Sequence, residues 1–245
     1  MRARNLLLGF LALGVIALFG AGAARASVAI CADAGCTSVG SLGTMSTAPD
    51  GAPLWTLSAP YNGTGYTVNS WTAELDSDPF VTNNIVVTNT QASPQTFIAT
   101  VLLNIPAFAY SAAINSSVGV TVTDSNGDGV LSFANSGGTP VFQGTVNGPA
   151  VLSLNPSSPA TMPLSIASCP VSFPGCTATS AGGTAFFALA PGSATQIGII
   201  LTFTLSPGDS AGLTSRFEIV PEPATLALLG AGLAGLLALG RRRVA

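Results

Sequence analysis

The residues best suited to chemistry form one short acidic run: Asp124, Ser125, Asn126, Gly127, Asp128 and Gly129. The run matches the first half of a calcium-binding loop, in which oxygen ligands at positions one, three and five converge and a glycine at position six allows the sharp turn. The main-chain carbonyl of Val130 would be the ligand at position seven. The sequence therefore points to Asp124, Asn126, Asp128 and Val130 as candidate calcium ligands.

The second half of that loop departs from the pattern. Asn135 stands at position twelve, where an EF-hand has a bidentate glutamate, and the flanking residues are typical of strands rather than helices. An EF-hand is therefore excluded. Two interpretations remain: a looser calcium loop at the tip of a hairpin, or a plain polar turn, because Asn-Gly and Asp-Gly are common hairpin signals.

Four aromatic residues lie close together in the sequence: Trp55, Tyr61, Tyr66 and Trp71. Aromatic faces that stack on sugar rings, among asparagine and threonine side chains, would form a carbohydrate-binding surface. The alternative is that the tryptophans belong to the core and the tyrosines line a loop. The two interpretations differ in one observable, which is whether the rings are exposed and coplanar.

Carboxylates at Glu74, Asp76 and Asp78 alternate, which places them on one side of an extended segment. They are candidates for a cation site or for general acid and base groups, and a solvated edge is the alternative. A glycosidase that uses two carboxylates, drawn from these and Glu218, is the remote alternative. The chain has no histidine, so serine–histidine and cysteine–histidine catalysis are excluded and no enzyme is expected.

Four cysteines fall into two local pairs, Cys31 with Cys36 and Cys169 with Cys176. Each pair flanks turn residues, so two local disulfides are the simplest of the three connectivities that four cysteines allow. Metal binding and thiol catalysis are not expected, because neither histidine nor lysine is present to complete a ligand set or lower a thiol pKa.

The first residues, 1–26, predict a secretory signal peptide that forms an N-terminal helix. Arg2 and Arg4 form its basic region, residues 6–22 are apolar, and Ala24 and Ala26 form a small-x-small pattern that predicts cleavage before Ser27. An uncleaved anchor is the alternative. Export places the body, residues 27–220, in an oxidising compartment that permits disulfides.

The charge of the exported part limits its partners. Charged residues are 7% of the chain, against about 25% in ordinary globular proteins. Residues 27–223 contain a single arginine, Arg216, and all ten acidic residues, a formal charge of −9. Such a surface repels nucleic acid and tolerates divalent cations.

Short strands separated by glycine, asparagine and proline predict an all-β fold for the body, an antiparallel β-sandwich. Residues 118–123 and 196–206 alternate between apolar and small or polar side chains, which indicates strands with one buried face. Residues 85–89 and 96–103 are interpreted as adjacent antiparallel strands, and residues 156–183 as mostly loop. One elaborated sandwich is favoured over two small ones.

The last residues, 221–245, have three parts in a fixed order. A rigid polar motif comes first, formed by Pro221, Glu222 and Pro223. An apolar run over residues 224–240 follows, and a basic cluster of Arg241, Arg242 and Arg243 comes last. The run of 17 residues would form a helix of about 25 Å, the lower limit for crossing a bilayer. The arginines would stay on the cytoplasmic side, so the body lies across the membrane from them.

This tail resembles the PEP-CTERM sorting signal of Gram-negative bacteria. The resemblance covers only the tail, and an ordinary single-pass anchor is the alternative. It implies export by the general secretion machinery, a membrane-held intermediate, processing by an exosortase, and delivery to the outer surface or the exopolysaccharide matrix. We therefore expect a secreted structural protein of the surface or matrix, with a carbohydrate-binding module as the alternative. Neither nucleic acid nor a certain cofactor is expected, apart from the candidate calcium.

Overall fold

The computed structural model describes residues 26–33, 35–128, 131–134, 139–155 and 177–221. The predicted signal peptide, Cys169, Cys176, Val130 and the tail from Glu222 onward lie outside the described residues, and so do both predicted terminal helices. Among the described residues no helix is long and apolar enough to cross a membrane.

The described chain is all-β, as predicted, with one 3-10 turn (Gly40–Leu42). Its strands are β1 (Ala26–Ala32), β2 (Gly35–Ser38), β3 (Gly43–Thr47), β4 (Pro53–Leu57), β5 (Tyr61–Gly63), β6 (Tyr66–Asp76), β7 (Phe80–Asn89), β8 (Gln95–Thr123), β9 (Phe133–Ala134), β10 (Phe142–Val146), β11 (Ala150–Leu154), β12 (Thr177–Leu205) and β13 (Ser210–Pro221).

Two antiparallel sheets share the two longest strands, β8 and β12, each of 29 residues. The first half of β8 pairs with β1 and with the second half of β12, and the first sheet has the order β2-β1-β8-β12-β10-β11. The second half of β8 pairs with β13 and with the first half of β12, and the second sheet has the order β3-β4-β6-β7-β13-β8-β12. We call the place where β8 passes between the sheets, residues 104–112, the crossing end.

Side chains from both sheets meet in the space between them. The ring of Tyr66 in β6 contacts the ring of Phe97 in β8, with centroids 5.7 Å apart. A Cβ atom added to Gly144 in β10 would lie 2.3 Å from the ring of Phe217 in β13. These close approaches show that the sheets pack face to face around an apolar core.

The predicted alternation along the late strand is confirmed. Ile197, Ile199, Leu201, Phe203 and Leu205 of β12 are all buried. Because successive side chains of a strand point to opposite faces, this apolar row lines the core.

The prediction that residues 156–183 are mostly loop is wrong for residues 177–183. Thr177 already belongs to β12 and pairs with Thr123, and Gly183 pairs with Val118. The small residues and glycines of this stretch form no apolar pattern from which a strand could be predicted. Main-chain pairing with β8 holds the strand in the sheet instead.

The predicted adjacency of residues 85–89 and 96–103 is also wrong. These segments belong to β7 and β8, and β7 pairs instead with β6 and β13. The chain leaves β7 at Asn89 and enters the first sheet at Gln95, so the connection passes from one sheet to the other. A polar turn between two strands does not distinguish such a passage from a hairpin.

Cys31 and Cys36 form a disulfide, as predicted. They face each other across the β1–β2 hairpin, where Cys31 pairs with Cys36 and Ala32 with Gly35. The second predicted bridge lies outside the described residues.

Candidate functional site

The acidic run singled out in the sequence lies where β8 ends, beside the turn that joins β12 to β13. Thr123 is the last residue of β8, and it pairs with Ser210, the first residue of β13. Residues 124–128 (the acidic loop) and residues 206–209 (the β12–β13 turn) are therefore neighbours. We call this part of the sandwich the loop end.

Side chains of the acidic loop hydrogen-bond to its own main chain. Asp124 Oδ1 accepts from the Gly127 N–H at 2.7 Å, and Asn126 Oδ1 accepts from the Asp128 N–H at 3.0 Å. Asp124 is 1% exposed, whereas Asp128 is exposed. Gly127 has a φ of 74°, a conformation that glycine adopts without steric cost. Three of the four predicted calcium ligands thus lie in one ordered loop, and the fourth, Val130, is outside the described residues.

Contacts join the acidic loop to the β12–β13 turn. Asn126 Nδ2 donates to Asp128 Oδ2 at 2.9 Å and to the main-chain oxygen of Pro207 at 3.0 Å. Ser125 Oγ donates to Ser210 Oγ at 2.9 Å. The side-chain amide of Asn126 therefore holds the acidic loop against the β12–β13 turn.

Asp209 is a member of this cluster that sequence reasoning missed. It is 0% exposed, and its Oδ2 accepts a hydrogen bond from the hydroxyl of Ser206. Its Oδ1 is buried and accepts no hydrogen bond from any residue that the structure describes. In the sequence Asp209 stands after Pro207 and Gly208, where an aspartate is typical of an exposed turn, so no local signal indicated its burial.

The surroundings of Asp209 disfavour its ionised form. Burial raises the pKa of Asp209, and the negative charges of Asp124 and Asp128 raise it as well. The hydroxyl of Ser206 and the nearby N–H of Ser125 act in the opposite direction and lower this pKa. The net direction is upward, because removal of a carboxylate from water outweighs the donors that it finds.

Within the described ranges, no three acidic or cysteine side chains stand close enough together to hold a metal ion by themselves. A cation at the loop end would therefore combine carboxylates with the amide oxygen of Asn126 and with water. Oxygen ligands of these kinds suit Ca²⁺ and are poor ligands for zinc.

Three of the four candidate sugar-binding aromatics are core residues. Trp55, Tyr66 and Trp71 are 3%, 4% and 1% exposed, and Tyr61 is partly buried. The rings of Trp55 and Trp71 are 5.8 Å apart and nearly perpendicular, at 89°. Their N–H groups bond inward, to the main-chain oxygen of Gly40 and to the side-chain oxygen of Asn83. These four rings do not form an exposed coplanar platform.

A cavity of about 410 Å³ lies beside Trp55. Met45, Pro53 and Leu75 contribute to its lining, together with small residues of β1 and of the 3-10 turn. The lining is apolar or glycine, whereas a sugar site needs polar groups that fix its hydroxyls.

The alternating carboxylates occupy two kinds of structure. Glu74 and Asp76 lie on β6, but the strand ends at Asp76, and Asp78 is in the following turn, where its N–H donates to Asp76 Oδ1 at 2.9 Å. Burial raises the pKa of Glu74, and the nearby carboxylate of Asp50 raises it further. Asp50 is therefore the acidic residue that raises the pKa of Glu74, and the sequence pattern did not indicate this neighbour.

The fourth candidate carboxylate, Glu218, forms an ion pair. Its Oε2 accepts from Arg216 at 3.0 Å and from Asn115 at 3.3 Å. The guanidinium of Arg216 also lies 5.1 Å from the ring centroid of Phe80. The single arginine of the body thus already has a carboxylate partner on its own strand, β13.

Strand β13 leads directly into the predicted sorting motif. Its last residue, Pro221, pairs with Ala112 at the crossing end. Glu222, Pro223 and the cluster Arg241, Arg242 and Arg243 lie outside the described residues.

Residues 220–243 match the family model of the PEP-CTERM protein-sorting motif. The match covers the tail predicted from the sequence and confirms that prediction. No curated protein and no solved structure matches the chain. A PEP-CTERM motif implies exosortase-dependent sorting of a secreted protein, with the exosortase as its processing partner and a membrane-anchored stage during processing.

Proposed function

We propose that the β-sandwich is a structural, non-enzymatic component of the cell surface or of the extracellular exopolysaccharide matrix. The observation that carries this proposal is the sorting motif at residues 220–243, which begins where β13 ends. The body and the sorting signal are therefore joined without an intervening linker, and the body is the cargo that the signal delivers.

The surface chemistry of the body supports a role outside the cell. Residues 27–223 have a formal charge of −9 with one arginine, and that arginine, Arg216, is paired with Glu218. Uncharged serine, threonine, asparagine and glycine supply much of the remaining polarity. Such a surface is hydrated by neutral groups, which suits a protein embedded among polysaccharide chains.

The positions of the candidate groups support a passive role over sugar binding or hydrolysis. Trp55, Tyr66 and Trp71 stabilise the core and are not free to stack on a ligand. Glu218 is paired with Arg216, and the acidic neighbour of Glu74 is Asp50. The proposal therefore assigns these residues to stability and solubility.

Mass spectrometry of the mature C-terminus tests the sorting step. Replacement of Pro221, Glu222 and Pro223 by alanine should abolish removal of the tail, so the variant keeps Arg241, Arg242 and Arg243 and stays in the membrane fraction. Glu218→Ala is the matched control, because it removes a nearby carboxylate outside the three-residue motif. An intact arginine cluster in the mature wild-type protein would show instead that the tail is a plain anchor.

Fractionation of the matrix tests the role of the body. The mature protein should co-purify with exopolysaccharide and should be released when the polysaccharide is digested. Retention on purified polysaccharide that is lost in Tyr61→Ala, the variant of the only partly exposed ring of the four, would favour the carbohydrate-binding alternative. Recovery of the protein solely from the culture medium would contradict a matrix role.

A further inference from the structure

We propose that the cavity of about 410 Å³ beside Trp55 binds a neutral single-chain aliphatic molecule, such as a long-chain alcohol. The alkyl chain would lie between the two sheets, and the polar end of the molecule would stay in solvent. The proposal goes beyond the structural role of the body and does not depend on it, because it assigns a class of ligand to a specific cavity.

The cavity lies between the two sheets. Ala26 and Val28 line it from β1 in the first sheet, whereas Met45, Trp55 and Leu75 line it from β3, β4 and β6 in the second sheet. Sites for small molecules are concave, mostly apolar and about 300 to 1,000 Å³ in volume. The cavity is therefore large enough for a small molecule and has a wall from each sheet.

The wall offers hydrocarbon contacts and no polar side chain for a ligand. Every described residue that lines the cavity is apolar or glycine. The indole N–H of Trp55 already donates to the main-chain oxygen of Gly40 at 3.0 Å. A buried hydroxyl or charged group of a ligand would thus lose its hydrogen bonds to water without replacement. The buried part of the ligand is therefore an alkyl chain, which needs contact with the wall but no aromatic stacking.

Two glycines contribute to the wall in different ways. A Cβ atom at Gly43 would overlap the ring of Trp55, so glycine is required there by packing. A Cβ atom at Gly40 would lie 3.7 Å from the nearest atom, Val28 N, which is an ordinary contact distance. Packing therefore does not require glycine at position 40, and the missing side chain leaves space open in the cavity.

The mouth of the cavity has exposed apolar side chains. Met45 lines the cavity and is 57% exposed, and Leu42, in the neighbouring 3-10 turn, is 42% exposed. They are two of the three large hydrophobic residues that are exposed in the described part of the chain, and Ile98 is the third. Exposed apolar side chains that rim a cavity mark ligand-binding grooves, and methionine adapts its shape to different partners. This rim is an independent sign that an apolar ligand enters here.

The charge of the body and the source of the chain narrow the ligand further. Residues 27–223 have a formal charge of −9, which disfavours an anionic head group. The acyl chains of bilayer lipids are already in apolar surroundings, so they gain little by transfer into an apolar cavity. A single-chain molecule dissolved in water gains about fourfold in affinity for each methylene that it buries. The ligand is therefore a neutral aliphatic molecule taken from water.

Titration of the full-length protein in phosphatidylcholine vesicles with bromoundecanol tests the proposal, because the terminal bromine quenches tryptophan fluorescence on contact. Both tryptophans of the chain are in the body, Trp55 at the cavity and Trp71 with its ring centroid 5.8 Å away. Quenching should saturate. Unlabelled alcohols should displace the probe with affinities, referred to their free concentration in water, that rise about fourfold per methylene and level off once the cavity is full. Bromoundecanoate should bind more weakly at neutral pH.

Variants locate the site. Gly40→Leu should fill the cavity and weaken binding at least about tenfold, the loss expected when about two methylenes no longer fit. Gly119→Leu is the matched control, because a Cβ atom there has no neighbour within 4 Å and Gly119 does not line the cavity. Met45→Ser should also weaken binding, whereas Ile98→Ser should not. Circular dichroism melting curves establish that each variant is folded, and Val28→Phe is the second cavity-filling variant should Gly40→Leu fail to fold.

Three outcomes would contradict the proposal. Quenching that never saturates would show partition into the vesicles rather than binding. Equal affinities of the wild type, the cavity-filling variant and Met45→Ser would place the probe elsewhere. Quenching by brominated phosphatidylcholine, lost in the cavity-filling variant and not reproduced by bromoundecanol, would assign the cavity to a bilayer lipid and overturn the soluble ligand.

Discussion

The side-chain amide of Asn89 donates a hydrogen bond to the main-chain oxygen of Leu205 at 3.0 Å, and so joins the end of β7 in one sheet to the end of β12 in the other. The same nitrogen lies 3.1 Å from Ser206 O and 2.9 Å from Ser93 O, and Asn89 Oδ1 accepts from the Gln91 N–H at 2.9 Å. Asn89 is fully buried. One side chain thus fixes where the chain passes between the sheets.

Asn89→Ala should lower the free energy of unfolding by about 3 kcal/mol, because it leaves buried main-chain groups without partners. Urea-induced unfolding, followed by tryptophan fluorescence, measures the loss. Asn84→Ala, an exposed asparagine on the same strand, should change stability by less than about 0.5 kcal/mol. Equal effects of the two substitutions would mean that the Asn89 bonds contribute little.

Gly144→Ala should destabilise the protein by about 1 to 3 kcal/mol, through overpacking between the sheets. The added methyl group would lie 2.3 Å from the Phe217 ring, and both strands that carry these residues are fixed in their sheets. Gly119→Ala is the matched control in β8, since no described atom lies within 4 Å of a Cβ placed there. Urea midpoints of the two variants should therefore differ clearly, and coincident midpoints would contradict the observed fit of the two sheets.

Glu74→Gln should change how stability depends on pH. The pKa of Glu74 is raised above its ordinary value of 4.5 by burial first and by Asp50 second. A carboxyl whose folded-state pKa is raised contributes stability that is present below about pH 4.5 and is lost as pH rises through the folded pKa. The melting temperature of Glu74→Gln relative to wild type should therefore increase from pH 4 to pH 7.

A second variant checks the cause of that pH dependence. Asp50→Asn should reduce the pH-dependent difference between wild type and Glu74→Gln, because it removes the charge that helps to raise the pKa of Glu74. Parallel melting curves of wild type and Glu74→Gln across this range would show that Glu74 titrates alike in the folded and unfolded chain.

Local features of the fold were predictable from local sequence. The apolar row from Ile197 to Leu205 needs only the two-residue period of a strand, and the Cys31–Cys36 bridge needs only a short loop in an oxidising compartment. The sorting motif was equally accessible, because its three parts are contiguous. Each of these signals is complete within about twenty-five residues.

Pairing between distant segments was not predictable in the same way. Asn89 reaches Leu205 across 116 positions, and nothing near residue 89 indicates that β13, rather than β8, lies beside β7. The four aromatics illustrate the same limit, since stacking platforms and cores use the same residue types. Only the direction in which Trp55 and Trp71 point, a property of the assembled sheets, separates the two.

Asp209 was missed for a related reason. Its immediate neighbours, Pro207 and Gly208, favour a solvent-exposed turn, and its burial results from closure of the acidic loop over that turn. A signal was nevertheless present in the composition. A body with nine acidic residues against one arginine cannot give every carboxylate that its fold buries a basic partner.

The crossing end has a consequence for the orientation of the precursor. Ala26 pairs with Leu103 and Pro221 pairs with Ala112, on either side of the stretch where β8 passes between the sheets. The chain thus enters and leaves the sandwich at one pole. While the tail holds the protein, that pole would face the bilayer and the loop end would point away from it. Cleavage at the membrane pole would leave the opposite pole undisturbed.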